Sequence, residues 1–140
     1  MKQTKTLRIA QWFLRIALAA GFLSAVADRF GLWGAPGAPG VAWGKWDAFA
    51  NYAATLNWYA PAPIATLLAF TATLAEVVFA FGLLVGWRLR WFALGSGLLL
   101  LSFALTMSIA YGIKGTLDYS VFAAAGGAFL LAATATSKRA

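Results

Sequence analysis

Two ionisable side chains interrupt the most apolar stretches of this sequence, Arg15 and Glu76. A charge near the centre of a bilayer costs at least about 2.5–3.5 kcal/mol on insertion scales, so it turns toward protein and finds a partner. Arg15 stands eight residues beyond Leu7, roughly 12 Å along a helix, and Glu76 eleven residues before Trp87, roughly 16 Å. If the two segments run antiparallel from one surface, the charges reach compatible depths, and an ion pair between neighbouring helices is the simplest way to neutralise both. Such a pair either fixes helix register, or lines a pocket for a quinone headgroup or a proton route. Alternatively, Arg15 snorkels to the interface on its long stem, leaving Glu76 without it.

Other chemistry is limited by what is missing. The chain has neither cysteine nor histidine, which excludes disulfides, CxxC redox pairs, Cys/His zinc sites, histidine-ligated haem and Ser-His-Asp or Cys-His catalysis. No residue set supports self-contained catalysis, and no metal site is expected. A redox role would need a bound organic cofactor, such as a quinone, or a partner protein.

The helices that must position these groups follow from composition. Of 140 residues, 62% are hydrophobic and 11% charged, with a net charge of +7 and a mean hydropathy of +0.77. A soluble domain carries roughly a quarter charged residues, so a soluble globule, a disordered tail and a nucleic-acid binder are all excluded. The composition is that of an integral membrane protein built as one domain over residues 1–140. Four segments are long enough to cross about 30 Å of hydrocarbon, at approximately 7–27, 61–87, 91–113 and 119–136. Residues 1–27 also carry the basic start, apolar run and Ala25-Val26-Ala27 pattern of a cleaved signal peptide, but are read here as the first span. Lys2, Lys5, Arg8, Arg88, Arg90, Lys138 and Arg139 fall on one side, against Arg29, Lys45 and Lys114 on the other, which places both termini in the cytoplasm.

The expected fold is therefore an all-α membrane four-helix bundle, N-in and C-in. Its one long connection, the outer loop 28–60, begins with a Gly/Pro-rich run and continues with Trp46, Phe49, Tyr52/Ala53 and Leu56 at helical spacing. That spacing predicts a short amphipathic helix, acting as an aromatic seal over the bundle or as a gate over a ligand pocket. The loop at 114–118 reads as a short turn.

The polar faces agree with an inward-turned core. Arg8, Arg15, Phe22 and Arg29 recur at intervals of seven on the first span; Thr73 and Glu76 share a face of the second, and Ser102 and Thr106 mark one on the third. Thr73, Ser102 and Thr106 are thus the expected polar lining of a pocket around the Arg15–Glu76 pair. Asp28, Arg29, Lys114 and Asp118 form an outer-surface polar cluster, either interface anchors or an entrance that recruits a partner or an anionic headgroup. Gly82…Gly86, Ala17…Gly21…Ala25 and Ala123…Gly127 have the spacing that lets helices approach closely. The seven tryptophans lie mostly near span boundaries, as an aromatic belt.

The order of these features resembles the DoxX-like family of small four-helix bacterial membrane proteins. The resemblance rests on Leu14-Arg15-Ile16-Ala17-Leu18 leading through Gly21-Phe22-Leu23 to Asp28-Arg29-Phe30-Gly31, on Ala75-Glu76-Val77-Val78-Phe79-Ala80-Phe81-Gly82-Leu83-Leu84-Val85-Gly86-Trp87-Arg88, and on Leu117-Asp118-Tyr119-Ser120-Val121-Phe122. It covers essentially the whole chain and implies an inner-membrane protein, with Arg15 and Glu76 as the matching core charges and Asp28-Arg29 as the polar cluster ending the first helix. Many relatives carry a His-Gly-x-x-Lys-like element at that cluster, and this sequence has no histidine. Relatives include a subunit of a thiosulfate:quinone oxidoreductase and proteins associated with oxidative-stress enzymes. The implied function is an accessory or quinone-interacting subunit of a membrane oxidoreductase system. The rivals are a non-enzymatic anchor or assembly factor for a membrane or periplasmic partner protein, and a small transporter acting as a homo-oligomer. Four helices leave little room for a pathway within one subunit.

Overall fold

A computed structural model describes residues 3–135; Lys2, Lys138 and Arg139 of the orientation count, and the end of the fourth predicted span, lie outside them. The described residues are helical, with no strand: α1 (Lys5–Arg29), α2 (Trp46–Leu56), α3 (Ala62–Val85), α4 (Leu89–Tyr111), α5 (Ile113–Asp118) and α6 (Val121–Thr134). Helices α1, α3 and α4 are each long and apolar enough to cross a membrane. Helix α6, at 14 residues, extends about 21 Å, less than a full hydrocarbon core.

The helix ends follow from local chemistry. Thr4 caps α1, its hydroxyl accepting from the Leu7 amide at 3.1 Å. Pro63 sits in the first turn of α3, where an amide hydrogen has no helical partner to lose. At the other end Gly86 takes the left-handed conformation, φ +79°, and its amide closes on the Gly82 carbonyl. The chain then reverses within Trp87 and Arg88 into α4. The segment read as a turn at 114–118 is instead helix α5, tied on by Ser108, whose hydroxyl lies 3.1 Å from that of the buried Thr116.

The helices pair as α1 with α3 and α4 with α6, and the pairs join where α3 meets α4. Leu18, Ala19 and Phe22 of α1 pack with Ala80 and Leu83 of α3, Ala93 of α4, and Ala128, Leu131 and Ala132 of α6. Along α3 the buried positions Ala65, Ala69, Thr73, Glu76, Ala80 and Leu83 form a narrow stripe at helical spacing, while Leu67, Phe70, Leu74 and Phe81 are exposed. That is the pattern of a helix with apolar residues on all sides, one stripe for protein and the rest for lipid. Gln3 and Gln11 donate to the Thr134 carbonyl at 2.8 and 3.0 Å, so the two ends of the described chain lie together.

Small residues pack within the chain at some expected positions and not at others. The ring of Phe92 fills the place a Cβ on Gly82 would take, and Leu14 lies 3.2 Å from where one would stand on Gly127. At Gly21 nothing lies within 4 Å, so the Ala17…Gly21…Ala25 spacing makes no contact of this kind inside the chain. Gly82→Ala is therefore expected to destabilise by about 1–3 kcal/mol through overpacking, lowering the melting temperature in detergent. Gly21→Ala should leave that temperature unchanged or raise it.

Candidate functional site

The buried ion pair is at the end of the molecule where α1 finishes. Arg29, the last residue of α1, is 2% exposed, and Glu76 in the middle of α3 is also 2% exposed. The Nη1 of Arg29 donates to a Glu76 carboxylate oxygen and, at 2.7 Å, to the hydroxyl of Thr73, which itself donates to the Ala69 carbonyl. Thr73 thus relays the guanidinium to the backbone of its own helix. The Nε of Arg29 is enclosed and has no hydrogen-bond partner among the described residues.

Aromatic rings close over this pair. The Arg29 guanidinium carbon lies 3.7 Å from the ring centroid of Phe49, on α2, and 5.4 Å from that of Trp43. Desolvated cation–π contacts of this kind are worth on the order of 2 kcal/mol. Phe49 and Ala53 pack on Ala69 of α3, with Trp43, Trp46 and Tyr52 around them. Trp46 continues to Phe70 at 5.3 Å and to Phe30 at 5.8 Å; Tyr52 stacks on Tyr111 at 6.0 Å. Burial raises the Tyr52 phenol above its ordinary value, with Tyr111 and Tyr119 adding to the shift. The predicted amphipathic helix is α2, and its apolar face covers Arg29.

Asp28 builds the strap that delivers this cover. Its carboxylate accepts from the amides of Ala42, Trp43 and Gly44 at 2.8, 2.9 and 2.9 Å, and Asp28 is 6% exposed. Three amides on one carboxylate satisfy a buried charge without a cation. The backbone at Gly44 has φ +76°, and a Cβ there would run into Ala35 and Pro36, so only glycine fits where the loop folds back on itself. Trp33 Nε1 adds a bond to the Ser24 carbonyl at 3.1 Å.

Arg15 does not meet Glu76. Its Nε and Nη2 donate to the carbonyls of Leu83 and Leu84 at 2.6 and 2.9 Å, and its guanidinium lies 3.7 Å from the Trp12 ring centroid. These carbonyls belong to the last turn of α3, which lacks helical donors and carries partial negative charge. The expected Arg15–Glu76 pair is therefore replaced by Arg29–Glu76, fourteen residues or about 21 Å further along α1 on the same heptad face. The physical reason is side-chain direction. Cα–Cβ bonds tilt toward a helix's own N-terminus. On antiparallel α1 and α3, Arg15 and Glu76 lean apart, whereas Arg29 and Glu76 lean toward each other.

Of the expected pocket lining, Thr73 belongs to the site. Ser102 and Thr106 do not: their hydroxyls return to carbonyls of α4 itself, at Leu98 for Ser102 and at Ser102 and Phe103 for Thr106, and Ser102 is exposed. The buried hydroxyl on α4 is Ser96, bonded to the Phe92 carbonyl. The expected outer-surface cluster also divides. Asp28 and Arg29 are buried with separate partners, while Lys114 and Asp118 form an exposed i,i+4 pair at 2.6 Å on α5. Trp43 and Trp46 are part of the cover, whereas Trp12, Trp33, Trp58, Trp87 and Trp91 are exposed. Comparison with protein-family models, curated proteins and solved structures returns no match.

Two measurements test this wiring. In a double-mutant cycle, removing Glu76 alone leaves Arg29 buried and unpaired, at a cost of about 3–5 kcal/mol. Arg29 and Glu76 should couple strongly, and Arg15 and Glu76 by less than about 0.5 kcal/mol. Asp28→Ala is expected to free the amides of residues 42–44, so their hydrogen exchange should accelerate while exchange in the middle of α1 and α3 stays slow.

Proposed function

We propose that this chain is a DoxX-like bacterial inner-membrane protein, with both termini cytoplasmic, that serves as an accessory subunit of a membrane oxidoreductase system and holds a quinone headgroup at Arg29 and Glu76. The carrying observation is the enclosed Arg29 Nε, an N–H donor with no acceptor beside a buried carboxylate. A buried donor left unmade costs about 1–3 kcal/mol, which an incoming carbonyl oxygen recovers. The donor set fits such a ligand: a guanidinium for a carbonyl oxygen, a carboxylate able to carry a proton, and flat aromatic faces at Phe49 and Trp43. A quinone, when bound, supplies the redox chemistry that the side chains lack. Arg29 then orients it, Glu76 holds or accepts a proton, and α2 keeps water out.

In nanodiscs, a short-chain quinone should protect the α2 segment, residues 46–56, from hydrogen exchange. Glu76→Gln, which keeps the shape, should weaken that protection at least about tenfold with the chain still folded. Equal protection in Glu76→Gln sinks the reading.

A second reading is favoured by a specific observation: Arg29 and Glu76 are each 2% exposed beneath the cover, so a ligand must displace α2 to enter. On that reading the pair takes no part in binding, and the chain anchors a partner protein through the exposed surface at this end. Leu32, Trp33, Trp58 and Tyr59 stand exposed there, at 78%, 62%, 70% and 66%. Trp58→Ser with Tyr59→Ser would then abolish partner co-purification, and Glu76→Gln would preserve it.

A further inference from the structure

The face of α3 opposite Glu76 carries a separate feature, independent of the quinone reading. Val78, Phe81, Gly82 and Val85 of α3, with Trp87 and Phe92, line an apolar groove of about 350 Å³ between α3 and α4. From Val78 to Val85 the groove follows α3 for about 10 Å. At its floor the Phe92 ring packs against the Gly82 backbone. Val78, Phe81 and Val85 are exposed at its rim, so it opens outward from the bundle.

The groove ends at positive charge. Trp87 lines its last part, and the Arg88 guanidinium carbon lies 5.1 Å from the Trp87 ring centroid. Arg88 is exposed, its backbone is left-handed at φ +48°, and its guanidinium makes no hydrogen bond or ion pair among the described residues. Arg90 follows on the same turn, also exposed. Lys5 and Arg8 share this end, because Arg15 of α1 reaches the last carbonyls of α3. The four acidic residues are all elsewhere: Asp28 and Glu76 in the buried site, Asp47 on α2 and Asp118 on α5. An apolar trough ending in guanidinium groups that are unpaired among the described residues complements one class of molecule, with apolar chains and an anionic head.

We infer that the α3–α4 groove is a binding site for an anionic phospholipid, one acyl chain lying along Val78–Val85 and the headgroup phosphate held by Arg88 and Arg90. Trp87 sits at the junction of chain and head, where an amphipathic ring is at home. Each basic side chain at a membrane surface favours an anionic lipid enough that two give about 10- to 30-fold selectivity.

The test uses the full chain in a mild neutral detergent, with phosphatidylglycerol or phosphatidylcholine of identical acyl chains, and counts retained lipid by native mass spectrometry. Phosphatidylglycerol should be retained about 10- to 30-fold better. Arg88→Gln with Arg90→Gln should bring the two lipids level, and Lys5→Gln with Arg8→Gln should leave the preference intact. Val78→Phe, which fills the groove from an exposed rim position, should lower phosphatidylglycerol retention with every charge in place. Equal retention by the unaltered chain overturns the proposal. So does a preference lost equally in the Lys5/Arg8 variant, which would mean diffuse attraction to the basic end. Displacement of the lipid by glycerol 3-phosphate at matching concentration would also overturn it, since a headgroup without chains would then suffice.

Discussion

A guanidinium at the end of a membrane-spanning helix has two places to go, out to water or inward to a counter-charge. Arg29 goes inward, and most of the architecture around α2 follows from that choice. Turning in, it requires Glu76 at a matching height on α3, Thr73 one turn away to take a second hydrogen bond, and apolar cover to keep solvent from weakening the pair. The small side chain of Ala69 on the same stripe of α3 lets α2 settle closely enough for Phe49 to reach the guanidinium. Buried ion pairs contribute little to net stability compared with apolar residues of the same volume, but they penalise every alternative register in which one charge is left alone. For helices otherwise coated in interchangeable Leu, Ala and Phe, that penalty gives α1 and α3 a unique alignment.

The other intramembrane arginine is neutralised by different means. Arg15 has no carboxylate and uses two carbonyls from the last turn of α3, together with the face of Trp12. One helix thus fastens its neighbour twice, by a formal ion pair toward one end and by helix-end carbonyls toward the other. The two contacts are about 21 Å apart on α1, which leaves the intervening stretch to pack through Leu18, Ala19 and Phe22 without polar constraint.

Much of this was legible in the residues alone. The long helices emerged from hydropathy, the surface helix from the spacing of Trp46, Phe49 and Leu56, and the inward face of α1 from the heptad recurrence that includes both Arg15 and Arg29. What composition could not supply was the partner along that face. Depth counted at the Cα favoured Arg15, whereas the tilt of side chains toward each helix's N-terminus favours Arg29, and that tilt is common to every α-helix of L-residues. Ser102 and Thr106 misled for another reason: a hydroxyl on an apolar helix can satisfy itself on the preceding turn of its own backbone and so says little about which face is buried. The strap from Asp28 to residues 42–44 was hidden because it depends on backbone amides, which every sequence has.

Asp28 and Arg29 are consecutive, and their side chains leave the helix about 100° apart, one toward the loop and the other toward the core. The strap and the buried charge are therefore joined through a single rigid peptide plane. A displacement at Ala42 or Gly44 pulls on the Asp28 carboxylate, and so on the final turn of α1 that also carries Arg29. Whatever touches the loop ahead of α2 is, mechanically, holding a lever whose short arm ends at Glu76.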